Sequence, residues 1–253
     1  MKEINGDLII IQARTSSTRL PGKVLQPIWK GKNLLDLQLE KFRRLGTPLV
    51  VATTVNPSDD AIVDWAKRNN VEAFRGDEQN VLKRFIDCAR QYQAKNLIRV
   101  CSDNPFIQSD QVPYFLNSLA QGVDYISFCN HSGIPAIKTH WGLFVEGVRL
   151  GALERASEIL ETHAEEKFYS EHVTNFIYGN SEQFKIKLDQ APEAVHSRSD
   201  LRFTIDTPDD FQNMHSLLQL AGSKANLEQL IELVDANPNI KSVMRQGIDQ
   251  FNK

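Results

Sequence analysis

Three cations and four hydroxyl side chains crowd into Arg14-Thr15-Ser16-Ser17-Thr18-Arg19-Leu20-Pro21-Gly22-Lys23, with no acid among them. The run follows Leu8-Ile9-Ile10-Ile11, an apolar stretch that reads as a buried strand. A loop rich in positive charge and hydrogen-bond donors at the carboxyl end of a strand suits a polyphosphate. An arginine can fork two phosphate oxygens, while a lysine acts as a mobile point charge. Loops at that end of an open α/β sheet are also where ligands bind. The competing reading is a surface loop that is basic by chance; a strand before it and an amphipathic helix after it favour the phosphate loop. Two familiar phosphate loops are excluded. Val24 follows Gly22-Lys23 where a nucleoside triphosphatase loop needs Ser or Thr, and Ser17 stands where its first glycine belongs. No glycines here have the G-x-G-x-x-G spacing of a dinucleotide site.

A second constellation is Arg99-Val100-Cys101-Ser102-Asp103-Asn104-Pro105, where a strand ends in a carboxylate and Pro105 turns the chain. Mg²⁺ takes oxygen ligands, usually one or two carboxylates with water and phosphate completing the shell. An Asp at a strand end also serves as a turn or helix cap, so the residue alone leaves both roles open.

The segment Ala13–Lys23 closely resembles the N-terminal signature of the nucleotide-sugar cytidylyltransferases, A-R-x-x-S-T-R-L-P-G-K, at every fixed position. The resemblance is strongest to the spore-coat-polysaccharide branch, relatives of the synthetases that make CMP-activated sugar acids. It implies that Ala13, Arg14, Arg19 and Lys23 line the CTP site, with the three cations on the triphosphate and in catalysis. Asp103-Asn104-Pro105 is similar to the family's D-x-P step, whose Asp binds the metal, and Ser102 beside it joins the nucleotide-binding set. Arg202-Phe203-Thr204-Ile205-Asp206-Thr207-Pro208-Asp209-Asp210 resembles the family's R-x-T-x-D-T-P-x-D motif, which implies Asp206 as the second Mg²⁺ ligand. Asp209 and Asp210 need only a structural role, because acids in a first helical turn interact favourably with the helix dipole. Arg75-Gly76 with Val81-Leu82-Lys83-Arg84-Phe85 resembles the block whose arginine reaches the cytosine ring. A donor to the cytosine carbonyl and an acceptor for its amino group would discriminate against uracil, and that role passes to Arg75. Thr53–Asp60 resembles a loop that supports the nucleotide, Asp59 and Asp60 being read as a helix start. For the sugar side, Glu146, Glu171 and His172 match the branch's G-x-x-x-E and E-H-V-T elements and are candidates for the acceptor or a partner subunit. A lone His on a mixed helix more often packs or hydrogen-bonds than catalyses.

The elements that must position these residues alternate. Strands are predicted at Leu8–Gln12, Leu49–Thr53, Val71–Phe74, Leu97–Cys101 and Tyr125–Phe128. Helices between them are marked by Leu35/Leu39/Phe42, Ile62/Trp65/Ala66, Val81/Phe85/Cys88 and Val112/Phe115/Leu119. Such alternation implies parallel β-α-β units. Beyond Cys129 the pattern predicts a loop or lid over Asn130–Trp141, a short strand at Leu143–Val145, and helices from Arg149 to Leu160 and through Phe168–Tyr178. Strands at Phe184–Leu188 and Leu201–Thr204 follow. Asp206-Thr207-Pro208 caps a further helix, and Leu227–Val234 is helical with Asn237-Pro238 as its stop. The resemblance implies a single α/β domain over residues 1–253, nucleotide-diphospho-sugar transferase-like (Rossmann-like), with a mixed, mostly parallel sheet flanked by helices. Residues at about 130–190 are expected to form an acceptor-binding and possible dimerisation subregion.

Composition narrows the class. A chain of 253 residues, 41% hydrophobic and 24% charged with a net charge of −3, is ordinary for a soluble globular protein and lacks the basic footprint of a nucleic-acid binder. No stretch is long and apolar enough for a bilayer, and Met1–Asp7 lacks a signal-peptide core, so a cytoplasmic protein is expected. Cys88, Cys101 and Cys129 suit neither a disulfide framework nor a zinc site. The expected reaction transfers CMP from CTP to an acidic or phosphorylated sugar, with Mg²⁺ as cofactor and a homodimer as the assembly. Two rivals are a metal-dependent glycosyltransferase, which would carry an acid-x-acid motif at a strand end, and a nucleotide-binding regulatory protein without catalysis.

Overall fold

Leu8, Ile9, Ile10 and Ile11 are all completely buried, as a strand covered on both faces requires. In the computed structural model, which describes residues 6–251, they form the centre of a seven-stranded sheet. Met1–Asn5 lie outside the described residues. In chain order the elements are β1 (Asp7–Gln12), α1 (Leu34–Arg43), β2 (Leu49–Thr54), α2 (Asp60–Arg68), β3 (Glu72–Gly76), α3 (Val81–Gln91), β4 (Asn96–Cys101), α4 (Val112–Ala120) and β5 (Tyr125–Cys129). There follow β6 (Glu146–Arg149), α5 (Leu150–Leu160), α6 (Glu166–Glu171), α7 (Asn175–Gly179), β7 (Ile186–Gln190), α8 (Glu193–His196), α9 (Pro208–Ala221), α10 (Leu227–Ala236) and α11 (Pro238–Gln250).

The strand order is β3-β2-β1-β4-β6-β5-β7; β6 runs antiparallel to both neighbours and the other pairings are parallel. The mixed, mostly parallel sheet expected from the sequence is therefore present. From β1 the chain winds one way through β2 and β3, then returns to place β4 on the other side of β1. A reversal of this kind is where open α/β sheets bind ligands, in the crevice at the carboxyl ends of β1 and β4. The alternate faces of β1 feed two cores. Leu8 and Ile10 pack with the apolar residues of α3, α5 and α7, while Ile9 and Ile11 pack with those of α1, α2 and α4. A third core gathers α9, α10 and Met244 of α11 around Phe106, Trp141, Leu143, Leu201, Phe203 and Ile205.

Four expectations are corrected. The strand placed at Leu143–Val145 lies three residues later, at Glu146–Arg149, because Arg99 pairs directly opposite Glu146 and supplies its counter-charge. Leu201–Thr204 is buried but not a strand; Phe203 N–H donates to Trp141 O and Ile205 N–H to Asp103 O, so its backbone bonds go to loops. The helix through Phe168–Tyr178 is broken into α6 and α7 at His172–Thr174, where the Thr174 hydroxyl turns inward onto Glu146. Pro238 does stop α10, but it also opens α11, since a proline fits a first helical turn. The lid region Asn130–Trp141 is mostly irregular, with a short 3₁₀ turn at Ala136–Lys138. None of the three cysteines forms a disulfide; Cys88 and Cys129 are buried and Cys101 is half-buried.

Candidate active site

The cationic loop leaves β1 at Ala13, whose N–H donates to Ala52 O of β2. It then closes on itself: Gly22 N–H reaches Thr15 O at 2.9 Å, and Gly22 takes a φ of 71° that favours glycine. Thr15 is anchored from below by Asp59, a carboxylate with no exposed surface. Its Oδ1 accepts from Thr15 N–H and from the Thr15 hydroxyl, both at 2.7 Å; its Oδ2 accepts from Thr54 N–H at 3.2 Å and the Thr54 hydroxyl at 2.6 Å. Burial alone would raise its pKa, but these hydrogen bonds hold it below the usual carboxylate range. A residue that reads as a helix start thus ties the phosphate loop to the end of β2.

Across the crevice, Asp103 sits on the turn after β4. Two side chains one turn apart on α1 grip this turn: Gln38 donates to Cys101 O and Asn104 O, and Lys41 donates to Pro105 O and Ile107 O. Burial, with the nearby charge of Arg44, pushes the Lys41 pKa down to about 8. The segment carrying Asp206 is joined to the turn by the bond from Ile205 N–H to Asp103 O, at 3.0 Å. Lys23 is buried between the two, its Nζ 3.7 Å from Asp103 Oδ2 and 3.6 Å from Asp206 Oδ1, and donates to Ile205 O. Asp206 also receives Arg19 on Oδ1 and Arg202 on Oδ2, both at 2.8 Å. Burial opposes ionisation of Asp206, but Lys23, Arg202 and Arg19 together hold its pKa below the ordinary value. Arg202 is in turn held by Asp210 through two bonds of 3.1 and 3.0 Å, and Asp210 closes a capping box with Thr207 at the start of α9.

The structure thus brings Arg19, Lys23, Asp103 and Asp206 into direct contact. Burial, with repulsion from the exposed Arg14, brings the Arg84 pKa down to about 10. Arg84 is buried, donates to Asp77 O, and leaves its Nε without a partner; Lys83 is exposed and pairs with Asp87. Arg75 points back onto the loop after β2, donating to Thr54 O, Asn56 O and the Asp60 carboxylate. Ser102 is buried beside Asp103.

On the α3/α5 face of β4 and β6, Arg99 donates to Gln12 and pairs with Glu146, whose other oxygen accepts from Tyr125 and Thr174. Glu146 is 2% exposed, so this network encloses it instead of presenting it to a ligand. Glu171 and His172 are exposed at the end of α6. Partial desolvation of its ring lowers the His172 pKa; Glu171 opposes this, and the charges of Arg99 and Lys138 add to it.

The family described as Cytidylyltransferase matches residues 8–235. The chain belongs to the cytidylyltransferase family. It is 35% identical over 242 residues to an uncharacterized protein of Methanocaldococcus jannaschii, covering 92% of each chain. It is 31% identical over 246 residues to the spore coat polysaccharide biosynthesis protein SpsF of Bacillus subtilis, covering 93% of this chain and 97% of that one. A solved cytidylyltransferase from Leptospira borgpetersenii superposes with a TM-score of 0.79 at 27% identity, over 93% of this chain and 96% of the other. The chain is accordingly a CTP-dependent nucleotidyltransferase, and the glycosyltransferase reading is set aside. No helix among the described residues is long and apolar enough to cross a membrane.

Several residues shape this cytidylyltransferase's crevice through contacts that their place in the sequence does not show. Asp59, Gln38 and Lys41 act through buried hydrogen bonds between distant segments, which spacing does not reveal. Gly142, at a φ of 61°, lies where a Cβ would come within 2.6 Å of Asn104 Oδ1 and 2.7 Å of Thr204 Oγ1, so it keeps the two aspartate segments close.

Proposed function

We propose that the enzyme transfers CMP from CTP to an acidic or phosphorylated sugar, releasing pyrophosphate, to supply a precursor of a surface polysaccharide. The observation that carries this reading is the meeting of Lys23, Asp103 and Asp206 at the ends of β1 and β4, with Lys23 Nζ within 3.7 Å of both carboxylates. The acceptor oxygen attacks the α-phosphorus in line, a new P–O bond forms, and the bond to the bridging oxygen breaks as pyrophosphate leaves. Positioning and charge neutralisation are the protein's main contributions to such a transfer. Arg14, Arg19 and Lys23 grip the triphosphate, Ala13 and Ser102 line the nucleotide, and Arg75 sets the loop against which the base is read.

The donor set fits Mg²⁺: two carboxylate oxygens already converge on one positive charge, and hard oxygen donors are what Mg²⁺ prefers. Asp103 and Asp206 would hold it, and when bound it supplies charge neutralisation and Lewis acidity at the α-phosphate. The similarity to a spore coat polysaccharide protein supports the polysaccharide context. A homodimer in the cytoplasm completes the reading.

A pyrophosphate-release screen tests it, with each nucleoside triphosphate offered against a panel of sugar acids and sugar phosphates in the presence of Mg²⁺. Release with CTP and one acceptor class is expected. Equal turnover of UTP would refute the nucleotide assignment, and CTP binding without release for any acceptor would favour a regulatory protein.

A further inference from the structure

The end of α11 reaches the crevice although no motif marks it. Phe251 follows the last turn of the helix, its N–H donating to Gly247 O and Ile248 O, both at 3.2 Å. Its ring lies against two guanidinium groups at once, 4.4 Å from the Arg19 Cζ and 5.2 Å from the Arg202 Cζ. Those two arginines occupy the two oxygens of Asp206, each at 2.8 Å. One turn earlier on the same helix face, Gly247 leaves room for Arg202: a Cβ there would stand 2.7 Å from Arg202 Nε and 2.9 Å from its Cδ. The helix therefore offers a gap that admits the Arg202 stem, then a ring that covers both guanidiniums.

The two arginines are not equally held. Arg202 is enclosed and bound twice by Asp210, whereas the Arg19 side chain is 48% exposed and its carboxylate partner is Asp206. An exposed arginine has many rotamers to lose on binding an anion. An aromatic face attracts a guanidinium through its ring quadrupole and leaves the N–H edge free to fork oxygens. We propose that Phe251 is a positioning residue for Arg19, which holds the guanidinium in the crevice so that it passes from Asp206 to a triphosphate oxygen without leaving the ring. The proposal rests on the reading that Arg19 grips the triphosphate.

The test is the affinity of the purified full-length protein for CTP with Mg²⁺, measured by isothermal titration calorimetry. Phe251→Ala and Phe251→Leu should each weaken binding about two- to fivefold, the range for an exposed cation–π contact, and Phe251→Trp should restore it. Leu fills the space without a ring face, so wild-type affinity in Phe251→Leu would show a packing role only and overturn the proposal. In an Arg19→Ala background Phe251→Leu should cost nothing further; an equal additional loss would also overturn it. If Arg19→Ala weakens CTP binding and Phe251→Leu does not, only the role of Phe251 fails. If Arg19→Ala leaves CTP affinity unchanged, the triphosphate reading of Arg19 fails and takes the proposal with it. Thermal unfolding of each variant separates these outcomes from loss of the fold, and Phe251→Leu and Phe251→Trp carry the comparison should Phe251→Ala not fold.

Discussion

Replacing Asp59 by alanine should loosen the phosphate loop and destabilise the whole protein. The carboxylate has no exposed surface and accepts four hydrogen bonds, two from Thr15 and two from Thr54. Thr54 is itself fully buried, so without Asp59 its N–H loses an acceptor where water does not reach; an orphaned buried donor costs about 1–3 kcal/mol. Thr15 is half-buried, so water can replace part of its charge-assisted bonds, and the net loss there is nearer 1 kcal/mol, below the roughly 1.5–3 kcal/mol of a fully buried bond to a charge. Together these give about 2–4 kcal/mol, a large fraction of the stability of an ordinary domain. Asp59→Asn keeps the shape but turns an amide donor toward Thr54 N–H, so it should fall between alanine and wild type. The sign of the pH dependence follows from the lowered pKa. The contribution of Asp59 is fully present above the unfolded carboxylate value of about 4 and disappears as pH falls through the lower folded value. Asp59→Ala should therefore be less sensitive to acid than wild type. Urea unfolding at pH 7 and at pH 3.5, with CTP affinity measured alongside, checks all of this. A loss under about 1 kcal/mol at pH 7 with unchanged CTP affinity would show that the carboxylate does not hold the loop.

With the acceptor found by the pyrophosphate screen, Asp103→Asn and Asp206→Asn should each abolish turnover, and the double change should cost little more than either; multiplicative losses would argue against one shared ion. Lys23→Ala should lower kcat by about tenfold to a thousandfold, with a smaller effect on CTP affinity, because charge builds on the departing pyrophosphate. An unchanged kcat would make the loop a docking site only. Arg75→Ala should narrow the ratio of CTP to UTP affinity by freeing the loop at Thr54–Asp60; a ratio equal to wild type in calorimetry would remove Arg75 from base selection. Gly142→Ala must push Asn104 or Thr204 aside, so it should lower both the melting temperature and turnover; a wild-type melting curve would show that the segment yields freely.

Much of the fold was legible because its first half repeats one plain rule, apolar strands alternating with amphipathic helices. The failures lie where a tertiary partner overrides the local pattern. Glu146 does not look like strand sequence, because a charge in a covered sheet is costly; Arg99, directly opposite in the register, removes that cost. Leu201–Thr204 has the apolar content of a strand, but Phe203 N–H donates to Trp141 O and Ile205 N–H, just beyond the segment, to Asp103 O. Asn237-Pro238 carries the same signal for stopping one helix and starting the next, so α11 and its contact with Arg19 and Arg202 were invisible. At the site, motif residues could be named because chemistry restricts their types. Gln38 and Lys41 lie in no motif, and the anchoring contacts of Asp59 and Gly142, although both fall within family-like segments, depend on packing that appears only in three dimensions.

The charges around Asp206 divide into those free to move and those that stay. Its carboxylate is mostly enclosed, and burial would favour the neutral form unless cations remained close. Three are present. Arg202 has no exposed side-chain surface and two further bonds to Asp210, whose oxygens also cap α9, so it is part of the frame. Arg19 is half exposed, with the Phe251 ring as its other neighbour; Lys23 is buried, donates closely to Ile205 O, and reaches Asp103 and Asp206 only at 3.7 and 3.6 Å. On the proposed reading Arg19 turns toward the triphosphate and Lys23 meets it from its buried place, while Arg202 keeps Asp206 ionised and aimed throughout. The resident arginine makes the exchange affordable: the buried carboxylate is never left without a positive partner, so Arg19 can follow the phosphate charge.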